Sequence, residues 1–191
     1  MIRIAIIGDI GSGKSYISKI FGYPVFNADD EVAKLYKKNK KCYMKLKKAL
    51  PKYIFSFPVQ KTSILKAITD SENNLKKIVK IIHPEIRKIM KNFIKKNKSK
   101  KIIILDIPLL IENKLNKKND ILIFVDAKKK EINKRLKKRN NFNIGIINKF
   151  RKIQLSIERK KTLSDYIIKN NFNISVKKSV MLVLKNIISN A

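Results

Sequence analysis

Apolar residues along the chain gather into five short runs, at 2–7, 25–26, 101–105, 121–125 and 166–168. Within these runs most consecutive positions are apolar, not alternate ones, the exceptions being Arg3 and Lys101. A strand of that kind is buried on both faces, as in a parallel sheet covered by helices. The stretches between the runs carry helical spacing, so the order of elements predicts an α/β fold. Residues 30–98, between the second and third runs, are too long for one crossover and predict a helical insert. Pro51 and Pro58 break that insert, and His83-Pro84 is expected to mark a further boundary. Residues 128–139 read as one basic helix, 140–145 as a polar connection and 146–162 as another helix. The lysine-rich residues 95–101 read as a solvated helix end and loop.

The first run ends in GDIGSGKS at 8–15, which is G-x-x-x-x-G-K-[ST] between a strand and a helix. Gly8, Gly11 and Gly13 let the backbone curl until successive N–H groups point at phosphate oxygens. Gly11, Ser12, Gly13 and Tyr16 contribute backbone to that cradle, and the helix that follows adds its positive end. Lys14 reaches the β- and γ-phosphates, and the Ser15 hydroxyl suits Mg²⁺. Binding of a nucleoside triphosphate is the expectation.

Three further patterns bear on chemistry. Ile-Ile-Ile-Leu-Asp ends on Asp106 at a strand's carboxyl end, where a carboxylate meets Mg²⁺, usually through water; the competing reading is an Asp opening a turn before Pro108. Asn27-Ala-Asp29-Asp30-Glu31 follows a strand and opens a helix, at the sheet edge where open α/β folds bind ligands. Asp29 is placed there either as a base taking a proton from an acceptor hydroxyl or as part of an acidic helix start. Arg135 and Arg139 share one helix face, either as a lid over the transferring phosphoryl group or as a solvated basic face. His83, the only histidine, has a turn or cap role on local grounds.

Composition narrows the setting. The 191 residues support one core with a lid or small insert. No apolar run approaches the roughly 18 residues that span a bilayer, and the N-terminal run reads as a strand and not a signal peptide. The lone Cys42 points to a reduced, cytoplasmic setting. Net charge is +32. That favours polyanions in general, but the excess is lysine spread from end to end, without a basic block interleaved with aromatics. Compositional drift therefore accounts for it better than a nucleic-acid partner. Where lysine is the default cation, a retained arginine suggests a need for the bidentate fork. Arg135, Arg139, Arg151 and Arg159 cluster in one region.

In this order these residues resemble the dephospho-coenzyme A kinase family, along nearly the whole chain. G-G-I-G-S-G-K-S-T is matched by 8–16, P-V-[IF]-D-A-D by 24–29 and [IL]-x-H-P-x-[IV] by 81–86. D-V-P-L-L-[FI]-E is matched by 106–112. R-x-x-x-R falls on Arg135 and Arg139, and R-x-x-Q on Arg151 and Gln154. The late A-D-x-[VI]-I-x-N falls on 164–170. The resemblance implies a phosphate-loop fold with a parallel five-stranded sheet flanked by helices. It implies a nucleotide-binding core at 1–35, 99–127 and 160–191, a helical acceptor-binding insert at 36–98 and a lid at 128–159. It implies ATP-dependent phosphorylation of the 3′-hydroxyl of dephospho-coenzyme A, the final step of coenzyme A synthesis, with Mg²⁺. Asp29 becomes the base and acceptor contact, Lys14, Arg135 and Arg139 serve the phosphates, and His83 and Pro84 fall in the acceptor-binding part. A monomer needing no nucleic acid and no membrane is expected, with a homo-oligomer as the alternative.

The chain departs from the pattern at Asp9, which replaces a loop glycine, and at Tyr16, which replaces the usual Thr. Asn27 replaces the first Asp of D-A-D, and Phe172 stands where N-x-G has its glycine. The alternatives are another small-molecule kinase of the same fold, of nucleotide or shikimate type, and a basic nucleic-acid-binding protein.

Overall fold

The computed structural model describes residues 1–138, 143–173 and 175–190. In chain order the first elements are β1 (Ile2–Gly8), α1 (Lys14–Ile20), β2 (Val25–Asn27), α2 (Ala28–Lys38), α3 (Lys40–Ala49), α4 (Lys61–Asp70) and α5 (Glu72–Lys96). There follow β3 (Ile102–Asp106), β4 (Asp120–Asp126), α6 (Lys129–Lys137), α7 (Ile144–Lys152), α8 (Ile157–Thr162), β5 (Tyr166–Lys169) and α9 (Val176–Ser189). Two compact units divide the chain: Met1–Asn27 with Lys96–Ala191, and Ala28–Lys95.

The first unit carries a five-stranded sheet, all parallel, in the order β2-β3-β1-β4-β5. Each strand lies within a residue or two of an apolar run. β1 and β3 are central, and Ile4, Ala5, Ile6, Ile103, Ile104 and Leu105 are fully buried. Helices cover both faces, which is why these strands need no polar side. α9 packs against β5 and α1. Its Val180, Leu184 and Ile187, one turn apart on one stripe, join Ile17 and Phe21 of the α1 region in the core with Ile4, Ile104 and Ile123. Each such fully buried side chain is worth about 1.5–3 kcal/mol over an exposed one.

At the base of β1 the Arg3 guanidinium grips Asp120 with two contacts of 2.9 Å, Nε to Oδ1 and Nη2 to Oδ2. The Lys117 backbone N–H donates to the same carboxylate at 2.9 Å. Burial pushes the Asp120 carboxyl above its ordinary value, while the Lys117 N–H and Arg3 pull it back. Such a pair orders two strand ends, and removing one partner is costly because the other charge is stranded.

The second unit is helical, from α2 through α5. Asn39 caps α3 by accepting the Cys42 backbone N–H at 2.8 Å, and the turn after α3 contains Pro51. The Val59 N–H donates to the Tyr36 carbonyl at 2.9 Å, tying the connection between α3 and α4 back to α2. Burial pushes the Cys42 thiol up to about 11, so it behaves as a small hydrophobe.

Two expectations are corrected. His83-Pro84 does not end a helix: Pro84 lies inside the 25-residue α5. A buried stripe of Leu75, Ile78, Ile82, Ile86 and Met90 runs past the proline on both sides and carries the helix through. His83 is accordingly a mid-helix residue and neither a turn nor a cap. Nor is 146–162 a single helix. α7 begins two residues earlier, with Asn143 capping it through the Ile146 N–H at 3.0 Å. The helical path then breaks before α8, because the Leu155 N–H donates to Glu112 Oε1 at 2.9 Å. Ser156 restarts the helix by accepting the Arg159 N–H at 3.1 Å.

Candidate active site

β1 delivers the chain to the carboxyl edge of the sheet, and the glycine loop starts there. Gly11 and Gly13 adopt φ of 85° and 94°, in the left-handed region. Gly13 has a second constraint: a Cβ on it would lie 2.4 Å from Asn170 Nδ2. A side chain at Gly11 would meet Leu136 of α6 at 3.0 Å. Glycine is therefore required at both positions by conformation and by close approach.

The loop is held from within and from behind. Lys14 Nζ donates to the carbonyls of Asp9 at 2.9 Å and Gly8 at 3.3 Å, which fastens the ammonium across the loop. Asn170, at the end of β5 and almost completely buried, donates from Nδ2 to the Ser12 carbonyl at 2.8 Å. Its Oδ1 accepts the Phe172 N–H at 2.9 Å. Ser12 is fully buried, whereas Tyr16 is half exposed.

Beside the loop, Ser15, Asn27 and Asp106 form a chain. Asn27 Nδ2 donates to Asp106 Oδ2 at 2.7 Å and lies 3.3 Å from Ser15 Oγ. β2 and β3 pair in register at Asn27 and Asp106, which sets this contact. At position 27 this chain therefore sets an amide donor against the carboxylate. An Asp there would face Asp106 carboxylate to carboxylate, whereas Asn offers a donor.

The helix α6 approaches the loop through Ile132 and Leu136, both buried. On the same helix the Arg135 guanidinium lies over the Phe172 ring, 4.4 Å from its centroid. The segment around α7 is joined to the loop by Arg151 and Asp9, at 3.0 Å from Nη2 to Oδ2. A buried polar cluster fixes the break between α7 and α8. Lys160 Nζ donates to Gln154 Oε1 at 2.7 Å and meets Glu112 Oε1 at 3.2 Å. The last residue of D-I-P-L-L-I-E and the glutamine of R-x-x-Q are thus linked through one buried lysine.

Lys14, Ser15, Asp106 and Arg135 therefore lie around the loop in the first unit. Arg139 lies outside the described residues. Asp29 is exposed in the first turn of α2, with Asp30 and Glu31 beside it, an acidic helix start by the usual electrostatics. His83 is half-buried in α5 and Pro84 exposed. Burial, and then the nearby Arg87 charge, lower the His83 imidazole below its ordinary value. Asp29, His83 and Pro84 belong to the second unit. Four contributors escaped the sequence reading as site residues: Asp9, Asn170, Arg151 and Lys160. Asn170 and Arg151 had a signal, since each occupies a fixed position of a recognised motif. Lys160 had none in so lysine-rich a chain.

Sheet order, glycine loop and the carboxylate at the end of β3 together define a phosphate-loop nucleotide-binding fold. Comparison with known proteins narrows the class. The dephospho-CoA kinase family model matches residues 2–175. A dephospho-CoA kinase from Wolbachia pipientis wMel is 31% identical over 170 residues, covering 86% of this chain and 87% of that protein. The chain belongs to the dephospho-CoA kinase family. Among solved structures, TT1252 from Thermus thermophilus superposes with a TM-score of 0.78 at 23% identity, covering 99% of this chain and 97% of the other. Dephospho-CoA kinase from Campylobacter jejuni superposes with a TM-score of 0.65 at 20% identity, over 97% of this chain and 96% of the other. At such identities the superpositions speak for the fold.

Proposed function

We infer that the chain transfers the γ-phosphoryl group of ATP to the ribose 3′-hydroxyl of dephospho-coenzyme A, giving coenzyme A and ADP. The family match across residues 2–175 carries this reading. A nucleotide or shikimate kinase is disfavoured by the same match.

In this reading the loop amides of Gly11 to Tyr16 hold the β- and γ-phosphates, and Lys14 leaves its loop carbonyls to neutralise them. Arg135, with Arg139 by position in the motif, closes over the oxygens whose charge shifts in the transition state. Asp29 accepts the proton of the 3′-hydroxyl as that oxygen bonds to the γ-phosphorus. The bond to the β–γ bridging oxygen breaks, and ADP departs with that electron pair. His83 and Pro84 serve the acceptor.

Ser15 and Asp106 offer hard oxygens, a donor set that suits Mg²⁺. No group of three or more His, Cys, Asp or Glu among the described residues could hold a metal. A sparse protein contribution fits an ion that keeps waters and takes its remaining ligands from phosphate. Bound there, Mg²⁺ would neutralise the phosphate oxygens.

No helix among the described residues is long and apolar enough to cross a membrane. A cytoplasmic monomer that needs no nucleic acid is our reading. Incubation with ATP, Mg²⁺ and dephospho-coenzyme A, followed by mass spectrometry, tests the function. The product should gain one phosphoryl group at the 3′ position, and ADP release without such a product would contradict it.

A further inference from the structure

We propose that Asp9 is a positioning residue, holding Arg151 at the phosphate loop so that the guanidinium serves the phosphates of ATP. The proposal rests on the reading that this loop binds ATP.

An acid inside a phosphate-binding loop is electrostatically misplaced if it acts alone, because its charge opposes the triphosphate. The geometry shows that it does not act alone. Asp9 Oδ1 accepts the Ile10 backbone N–H at 2.7 Å, which fixes the carboxylate to its own loop. From the other side Arg151 donates Nε–H to Oδ1 at 3.3 Å and Nη2–H to Oδ2 at 3.0 Å. That is the bidentate pairing for which the guanidinium shape is suited. Both side chains are largely buried, at 12% exposure for Asp9 and 24% for Arg151. The main-chain carbonyl of the same Asp9 receives the Lys14 ammonium at 2.9 Å. One loop residue therefore fastens two cations, one through its backbone and one through its side chain.

The pairing leaves chemistry in hand. A guanidinium has five N–H groups. Asp9 engages the Nε–H and one Nη2–H, so both Nη1 protons and the second Nη2 proton lie outside this pairing. The pair is neutral in sum but polar, with the carboxylate turned to α7 and its own loop and the guanidinium supplying donors. Oxygens of a bound triphosphate are acceptors of the matching kind. Arg151 retains the forked cation in a chain that mostly uses lysine, which fits a bidentate requirement.

The test is a double-mutant cycle, read as the KM for ATP and as the Kd of ADP by calorimetry, with Tm for each variant. Asp9→Asn keeps an acceptor for the Ile10 N–H and removes the charge. It should weaken nucleotide binding roughly tenfold, the scale of one lost charge-assisted hydrogen bond. Arg151→Gln should weaken it at least as much, and Arg151→Lys should fall between Gln and wild type. In the Arg151→Gln background the sign inverts: Asp9→Asn should tighten binding, because the carboxylate there opposes the phosphates without its cation. A structural role alone would move Tm and leave the sign unchanged. Should Asp9→Asn fold poorly, Asp9→Gly carries the same sign test. Tighter or unchanged nucleotide binding by Asp9→Asn in the wild-type background overturns the proposal, as does simple additivity. Lys14→Ala serves as control: if ADP binding ignores it, the loop reading itself has failed.

Discussion

The Arg135 guanidinium lies over the ring of Phe172, 4.4 Å from the ring centroid, on the side of the loop where Gly13 sits. Phe172 reaches that position with a φ of 58°, a left-handed conformation that costs a bulky residue roughly 1–2 kcal/mol. The Asn170 side chain holds the Phe172 N–H and the Ser12 carbonyl together, so the ring is tied to the loop that it flanks.

Arg135→Lys separates the lid reading from a solvated basic face. It preserves charge and helix propensity, so an ordinary surface arginine predicts no change. The lid reading predicts a clear fall in kcat/KM, with arginine contributions to phosphoryl transfer reaching roughly 10³-fold in strong cases. Phe172→Leu should cost only a few-fold, the scale of an exposed cation–π contact of about 0.5–1 kcal/mol. Wild-type kinetics for Arg135→Lys at fixed ionic strength would assign it to the surface.

Asp29→Asn distinguishes a base from a helix-start residue. As a base, Asp29 is worth roughly 10²–10⁴-fold in turnover, with ATP affinity little changed. As part of the acidic first turn of α2, its loss would lower stability by about 0.3–1 kcal/mol and spare turnover. We expect the first pattern, read by comparing kcat, the Kd of ATP and Tm for the same protein.

Asn27→Asp would put a second carboxylate where the amide now stands, 2.7 Å from Asp106 Oδ2. Like charges at that distance repel unless a cation intervenes. The variant should melt lower than wild type in Mg²⁺-free buffer at pH 8, by roughly 2–4 °C for each kcal/mol of repulsion. Millimolar Mg²⁺ should recover most of the loss. An unchanged Tm in Mg²⁺-free buffer would mean that the Asn27 amide is not what keeps the two positions compatible.

The sheet was legible because parallel strands covered on both faces leave uninterrupted apolar runs, as at Ile4–Ile7 and Ile102–Leu105. The glycine loop was legible because conformation and close approach permit little else at Gly11 and Gly13. What escaped depended on partners distant in sequence. The helix break before Ser156 follows from Glu112, 43 positions earlier, taking the Leu155 N–H. Asn170 supports Ser12 across 158 positions, and Arg151 reaches Asp9 across 142. Pro84 misled for the opposite reason: the local rule for proline is sound, but the buried stripe from Leu75 to Met90 overrides it.

His83 gives a pH signature free of other imidazoles. Burial first, and Arg87 second, hold its folded-state pKa below the ordinary 6.5. A lowered pKa means that the fold prefers the neutral ring. The stability this supplies is complete above about 6.5 and is lost as pH falls through the lowered value. Tm measured from pH 7.5 down to 5 should decline less steeply for His83→Asn than for wild type. Parallel curves would contradict the assignment. A raised KM for dephospho-coenzyme A in the same variant would support the acceptor role.

We propose that this loop carries ATP-dependent phosphorylation of dephospho-coenzyme A. Steady-state kcat/KM measured with dephospho-coenzyme A, AMP and shikimate as acceptors, for wild type and Lys14→Ala, tests it most directly. Turnover with dephospho-coenzyme A should lie far above that with the other two and fall by orders of magnitude in Lys14→Ala, with circular dichroism unchanged. Preference for AMP or shikimate, or near wild-type turnover by Lys14→Ala, would contradict it.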